Sequence, residues 1–198
     1  AGMHMLQWLH QNRLNGIKFS HDGNDKPIAF SDSSFHHGVK EHGKLKPNDC
    51  KDQYGWVIIW QGGPIAYVSK RHKHVGFSTC HVEYMAMSEC YKNIIYMRQL
   101  LDELRVENVT DYSTILFGDN QAANSLTEYD FVSSNNQYVL TSYHAIKEGT
   151  ALGLIDVRYK KSRLNLSDLL TKNVSSGEIK NLIDTLRGYV LNDLMKNE

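Results

Sequence analysis

The run Ser113-Thr-Ile-Leu-Phe117 constrains this chain more than any other segment. It is continuously apolar and β-branched, and too short for a helix. Such a run suits a strand buried on both faces. A strand of that kind needs a covering layer on each side of its sheet, so helices are expected to flank it. The run ends in Gly118-Asp119-Asn120, and a helix is expected to begin near Gln121, with Ala122, Ala123 and Leu126 as its apolar positions.

The other segments supply the partners of that strand. Met5 to Ile17 reads as a short helix passing into an extended piece, and Gly23-Asn24-Asp25-Lys26-Pro27 is a turn cluster. This divides an arm, residues 1–26, from a domain over residues 27–198. Ile28-Ala29-Phe30 is a brief strand expected to end at Asp32, and His36 to Gln53 is a long polar loop. The β-rich runs from Gly55 to Trp60 and from Ile65 to Ser69 flank Gln61-Gly62-Gly63-Pro64, a hairpin pattern. Trp56 and Trp60 fall on one face of it, as core residues. The longest helix runs from Thr79 to Leu104, with Val82, Ala86, Cys90, Ile94, Met97, Leu101 and Leu104 on one face and Glu83 in its first turn. A helix over Tyr138 to Glu148 and a strand over Leu152 to Tyr159 follow. Asn165 then caps a helix with Asp168 in its first turn. A capping box from Ser175 to Glu178 opens a last amphipathic helix, apolar at Ile179, Leu182, Ile183, Leu186, Val190 and Leu194. Hairpin-joined strands with crossover helices make this an α/β chain with a mixed sheet.

Asp32, Glu83, Asp119 and Asp168 all stand where a strand or helix begins or ends. Singly, each has an ordinary explanation, since acids suit first helical turns and strand ends. Together, four acids at element ends suit a hard cation such as Mg²⁺ or Mn²⁺. Two such ions form an apparatus for cutting a phosphodiester bond. The three cysteines show no CxxC spacing and read as free thiols, and the paired histidines His36/His37 and His72/His74 read as solvated loop residues. Basic and acidic residues balance at 22 each, so any basic surface for nucleic acid must be local. Lys70, Arg71 and Lys73 form one dense basic run, and Arg158, Lys160, Lys161 and Arg163 a second. Phosphate contact is the functional reading of both, and a solvated loop the plain one.

These pieces resemble the ribonuclease H domain at the end of the polyprotein of copia-type LTR retrotransposons. The likeness lies in Phe30-Ser31-Asp32, Gly55-Trp56-Val57, Gly62-Gly63-Pro64-Ile65 and Ser69-Lys70. It continues through Val82 to Glu89, Gly118 to Ala122, Tyr143-His144 and Leu166 to Lys172. Met5 to Phe19 resembles the tail of the preceding reverse transcriptase region. The resemblance implies an RNase H-like fold, a five-stranded mixed sheet with helices on both faces. It implies cleavage of the RNA strand of an RNA–DNA hybrid during reverse transcription. Asp32, Glu83, Asp119 and Asp168 fall on the catalytic metal-binding positions for two Mg²⁺ ions, which Mn²⁺ can replace. Asn120 and Gln121 are then placed for 2′-hydroxyl contacts, or are ordinary helix-start residues. The implied partners are the hybrid and the polymerase region of the same polyprotein.

The chain departs from the family at Asp32-Ser33-Ser34-Phe35, which keeps only the first acid of Asp-Ala-Asp-Trp. No loop histidine of the kind that assists product release can be singled out. A second reading is therefore a host-recruited or catalytically impaired module that binds nucleic acid or a protein. An integrase-type enzyme is a third, and the fourth acid at Asp168 argues against it. With no apolar run near the ~20 residues of a membrane span and no secretory pattern at the start, an intracellular place is expected, in a cytoplasmic virus-like particle or the nucleus.

Overall fold

The computed structural model describes residues 2–19, 26–35, 52–73, 76, 78–106, 111–127, 140–172 and 176–186. Most of the expected loop from His36, together with Cys50, His74, Tyr138, Ser175, Val190 and Leu194, lies outside the described residues. The elements in chain order are α1 (Gly2–Gln11), β1 (Ile28–Ser34), β2 (Gln53–Trp60), β3 (Gly63–Arg71), α2 (Thr79–Glu103) and β4 (Thr114–Gly118). They continue with α3 (Gln121–Ser125), α4 (Leu140–Ala151), β5 (Ile155–Tyr159), α5 (Asp168–Thr171) and α6 (Ser176–Leu186).

The five strands form one sheet in the order β3-β2-β1-β4-β5. β1, β2 and β3 are antiparallel neighbours, whereas β4 runs parallel to β1 and β5 parallel to β4. The hairpin closes tightly because Gln61 and Gly62 both take positive φ, 51° and 79°. That pairing of conformations matches the strand twist of a two-residue turn. Pro64, which has no N–H to give a ladder, is tolerated because β3 is an edge strand.

The sequence places hydrophobic side chains on both faces of the sheet, and both are covered. On one face Ala29, Trp56, Ile58 and Leu116 pack with Tyr84, Met87, Cys90 and Ile94 of α2 and with Tyr143 and Ile146 of α4. On the other, Ile28, Phe30, Val57, Ile59 and Phe117 pack with Leu166 and with Leu182 of α6. Neighbouring residues Leu116 and Phe117 thus serve opposite cores, as a strand buried on both faces must. Trp56 is a core residue and Trp60 packs against the same cluster.

Some expectations shift. β1 does not end at Asp32 but continues to Ser34, because Ser33 and Ser34 still pair with Tyr54 and Gln53. β5 begins at Ile155 rather than Leu152, because α4 runs on to Ala151 and Gly153 turns the chain at a φ of 68°. In the arm, Leu6 and Leu9 of α1 are 61% and 51% exposed, so this helix does not bury its apolar positions in the core.

Gly55 decides how closely α5 can approach. It pairs with Asp32 on one side and Ser69 on the other. A Cβ there would meet Leu170 Cβ at 2.5 Å and Thr171 Cγ2 at 3.1 Å. Gly55→Ala is expected to push α5 off the sheet and cost about 1–3 kcal/mol, the usual cost of overpacking. The midpoint of urea unfolding measures it.

Candidate metal centre

β1, β3, β4 and β5 all finish at the same end of the sheet, since β1, β4 and β5 are parallel and β3 is two antiparallel steps from β1. Asp32, Glu83 and Asp119 converge there. Each offers a carboxylate oxygen, and these oxygens all lie within 4.8 Å of one another. Asp32 has no exposed surface, and Glu83 and Asp168 are buried.

Each acid is held by a donor brought to it by the fold. Asp32 projects from β1 on the face that α5 covers. The Thr171 hydroxyl donates to its Oδ2 in a short hydrogen bond, and Lys172 Nζ stands 3.1 Å from its Oδ1. Glu83 reaches the site from α2, and the backbone N–H of Ser33 donates to its Oε2 at 3.0 Å. Asp119 follows β4 and accepts a short hydrogen bond from the Ser162 hydroxyl. Asp168 joins through a shared cation: Lys172 Nζ is 2.9 Å from Asp168 Oδ1 and 3.7 Å from Asp119 Oδ2.

Crowding and burial set the electrostatics. Burial, then the charges of Asp32 and Asp119, push the Glu83 carboxyl up to about 9. Burial and the charge of Asp32 raise Asp168 to about 6. Burial also raises Asp32, against the pull of Lys172 and the Thr171 hydrogen bond. For Lys172, burial opposes the charge, but attraction to Asp32 and Asp168 outweighs it and holds the ammonium above its usual value. Burial and neighbouring carboxylates thus make Asp32, Glu83 and Asp168 resist ionisation unless positive charge joins them. The trio contains oxygen donors alone, without His or Cys, a set that suits a hard divalent cation.

The local reasons differ in part from those expected. Glu83 is the fifth residue of α2, not in its first turn, because the helix starts at Thr79 with Ser78 as N-cap accepting from the His81 N–H. Asp168 does occupy the first turn of α5, but Asn165 does not cap that helix with its side chain. Asn165 is fully buried. Its Nδ2 donates to the Ser31 carbonyl at 2.9 Å, just past Phe30 and Phe117, where the pairing of β1 with β4 stops. Its Oδ1 accepts from the Ser167 hydroxyl and N–H. The residue therefore fastens the Asp168 segment to β1.

Among the expected nucleic-acid contacts, Asn120 caps α3, its Oδ1 accepting from the Ala123 N–H at 3.0 Å. Gln121 is exposed, as are Lys70, Arg71, Lys73 and Lys161. Lys160 is only 5% exposed, with Nζ 4.9 Å from the centre of the Phe117 ring. Buried with its ammonium against an aromatic ring, it does not share the surface setting of the other basic residues.

His72 departs most from expectation. It is buried rather than solvated, with its ring 4.6 Å from that of Tyr54 and Nε2 3.2 Å from Ser33 Oγ. Burial lowers its pKa. Ser33 is the residue whose N–H holds Glu83, so His72 supports the site from behind. Nothing in the local pattern marks it, since its partner lies 39 positions away in the chain.

No family model matches the chain. It is 29% identical over 124 residues to the Retrovirus-related Pol polyprotein from transposon TNT 1-94 of Nicotiana tabacum, covering 63% of this chain and 9% of that protein. It is 24% identical over 134 residues to the corresponding polyprotein from transposon RE2 of Arabidopsis thaliana, covering 68% and 9%. The chain thus spans about a tenth of the length of these relatives. Among solved structures, LC11-RNase H1 isolated from compost superposes with a TM-score of 0.51 at 12% identity, covering 81% of this chain and 99% of that one. The homologues are retrotransposon Pol polyproteins and the fold is that of RNase H, as the resemblance in the sequence implies.

The raised carboxyl groups make stability depend on pH. Glu83 and Asp168 hold protons more tightly in the folded, metal-free chain than in the unfolded one. Their contribution is fully present below the ordinary carboxylate range, and is lost as pH rises through about 6 and then about 9. The melting temperature in EDTA is expected to fall between pH 5 and pH 9, each pH unit crossed by one group costing at most about 1.4 kcal/mol. Glu83→Gln should flatten most of that slope, as thermal melts across the range will show.

Proposed function

We propose that this chain is a metal-dependent ribonuclease H that hydrolyses the RNA strand of RNA–DNA hybrids during retrotransposon reverse transcription. The observation that carries this reading is the buried convergence of Asp32, Glu83 and Asp119, with Asp168 tied in through Lys172. The fold and the Pol homologues support it.

Asp32, Glu83, Asp119 and Asp168 would hold two Mg²⁺ ions, with Mn²⁺ able to substitute. When bound, these ions supply activation of water and stabilisation of charge on the leaving 3′ oxygen. The chain's own part is to fix the carboxylates in advance. Asp32 is oriented by Thr171, Glu83 by the Ser33 N–H, and Asp119 by Ser162. Ready-made orientation spares the site from reorganising at the moment of reaction.

Substrate reaches this end of the sheet past exposed basic residues. Lys70 and Arg71 close β3 in register with Tyr54 and Gln53, beside the row containing Asp32. Lys73 follows β3, and Lys161 follows β5. These residues would neutralise phosphates of the hybrid and make binding depend on salt. Gln121 and Asn120, directly after Asp119, would meet the minor groove, where the 2′-hydroxyl separates RNA from DNA. The polymerase region of the same polyprotein is the proposed covalent partner, and a cytoplasmic particle or the nucleus the proposed place of action. No described helix is long and apolar enough to cross a membrane.

An end-labelled hybrid incubated with Mg²⁺ tests the reading. Cleavage of its RNA strand is expected, with duplex DNA left intact and EDTA abolishing the activity. Asp119→Asn should lower the rate roughly a hundredfold or more, the scale of losing several kcal/mol of charge stabilisation. Cleavage by Asp119→Asn at the wild-type rate would remove this acid from the mechanism.

A further inference from the structure

Lys172 stands where a cation belongs. It is the residue that ends α5, in an extended conformation with φ −126° and ψ 154°. That turn sends its side chain back over the helix start. The ammonium lies 2.9 Å from Asp168, 3.1 Å from Asp32 and 3.7 Å from Asp119. The preceding residue, Thr171, donates to the other oxygen of the same Asp32 carboxylate. Two consecutive side chains thus cover both oxygens of the most buried acid in the centre. An exposed lysine four residues after an aspartate on a helix contributes only a few tenths of a kcal/mol. This one also reaches an acid with 0% exposure, so it neutralises charge that water cannot.

A single positive charge does not balance the three carboxylates it touches, so the site still attracts cations. An ammonium is a compact charge on a flexible stem, and with the Lys172 side chain 38% exposed it can withdraw into solvent. A divalent ion brings twice the charge and can bind several oxygens at once.

We infer that Lys172 is a tethered competitor for the divalent ions: it holds Asp32, Asp119 and Asp168 together in the metal-free chain and must swing out before metal binds. This rests on the reading that these acids hold divalent cations. It adds a positioning role for a residue outside the ligand set, and makes the chain's own ammonium part of what sets metal affinity. If the ammonium leaves the site about a tenth of the time, apparent affinity is reduced about tenfold.

Mn²⁺ titrated calorimetrically into the metal-free chain provides the test. Lys172→Met keeps an unbranched side chain, one atom shorter, and removes its charge. This variant is expected to bind Mn²⁺ roughly tenfold more tightly than wild type, and to melt at a lower temperature in EDTA. Equal or weaker binding by Lys172→Met overturns the inference while leaving the metal reading intact. Failure of both proteins to bind Mn²⁺ overturns the two together. Reductive methylation of the wild-type chain, read by mass spectrometry, needs no variant. Lys172 should react slowly in EDTA and faster once Mn²⁺ is added, and labelling that ignores the metal would sink the idea.

Discussion

Burying several like charges at one end of a sheet is the constraint on which this structure turns. Asp32, Glu83 and Asp119 bring oxygens within 4.8 Å of one another in a place largely closed to solvent. Desolvation and the charge of neighbouring acids both oppose ionisation of Asp32 and Glu83 there. The chain tolerates the arrangement by fixing a donor on each acid: a main-chain N–H on Glu83, hydroxyls on Asp32 and Asp119, and an ammonium shared by three carboxylates. Glu83, pushed up to about 9, and Asp168, raised to about 6, would give up protons as positive charge arrives, as ligands of a cation must.

The short helix α5 is the clamp that makes this possible. It lies over Gly55, whose missing side chain lets Leu170 come close. The Leu170 carbonyl accepts from Ser69 Oγ at 2.6 Å and from Gln53 Nε2 at 3.2 Å, which ties α5 to β2 and β3. Asn165 ties the segment before it to β1. A helix of four residues has little stability of its own. Its position is imposed by three neighbouring strands, and that position carries Asp168, Thr171 and Lys172 into the site together.

Much of the fold could be read from the order of residues. The double-faced run from Thr114 to Phe117, the hairpin around Gln61-Gly62, and the period of α2 are local signals, and each element formed close to where it was expected. That Asp32, Glu83 and Asp119 belong to one group could be suspected for the same reason, since residue type and place near element ends can be seen without knowing which strands pair. The reach of β1 past Asp32 was not legible, because it depends on pairing with Gln53 and Tyr54. The surface role expected of Lys160 and the solvated state expected of His72 failed likewise, because Phe117 and Ser33 became their neighbours only through strand pairing.

The sequence by itself therefore determined the layers, the strand and helix types, and the set of acids, because hydrophobic period and residue chemistry act over a few positions. Tertiary structure alone decided that Ser33 would hold Glu83, that Asn165 would anchor to Ser31, and that Lys172 would reach across to Asp32, 140 positions away. Those contacts rest on the register of a mixed sheet and the approach of α5. No local pattern encodes either, since both arise when the whole core packs at once.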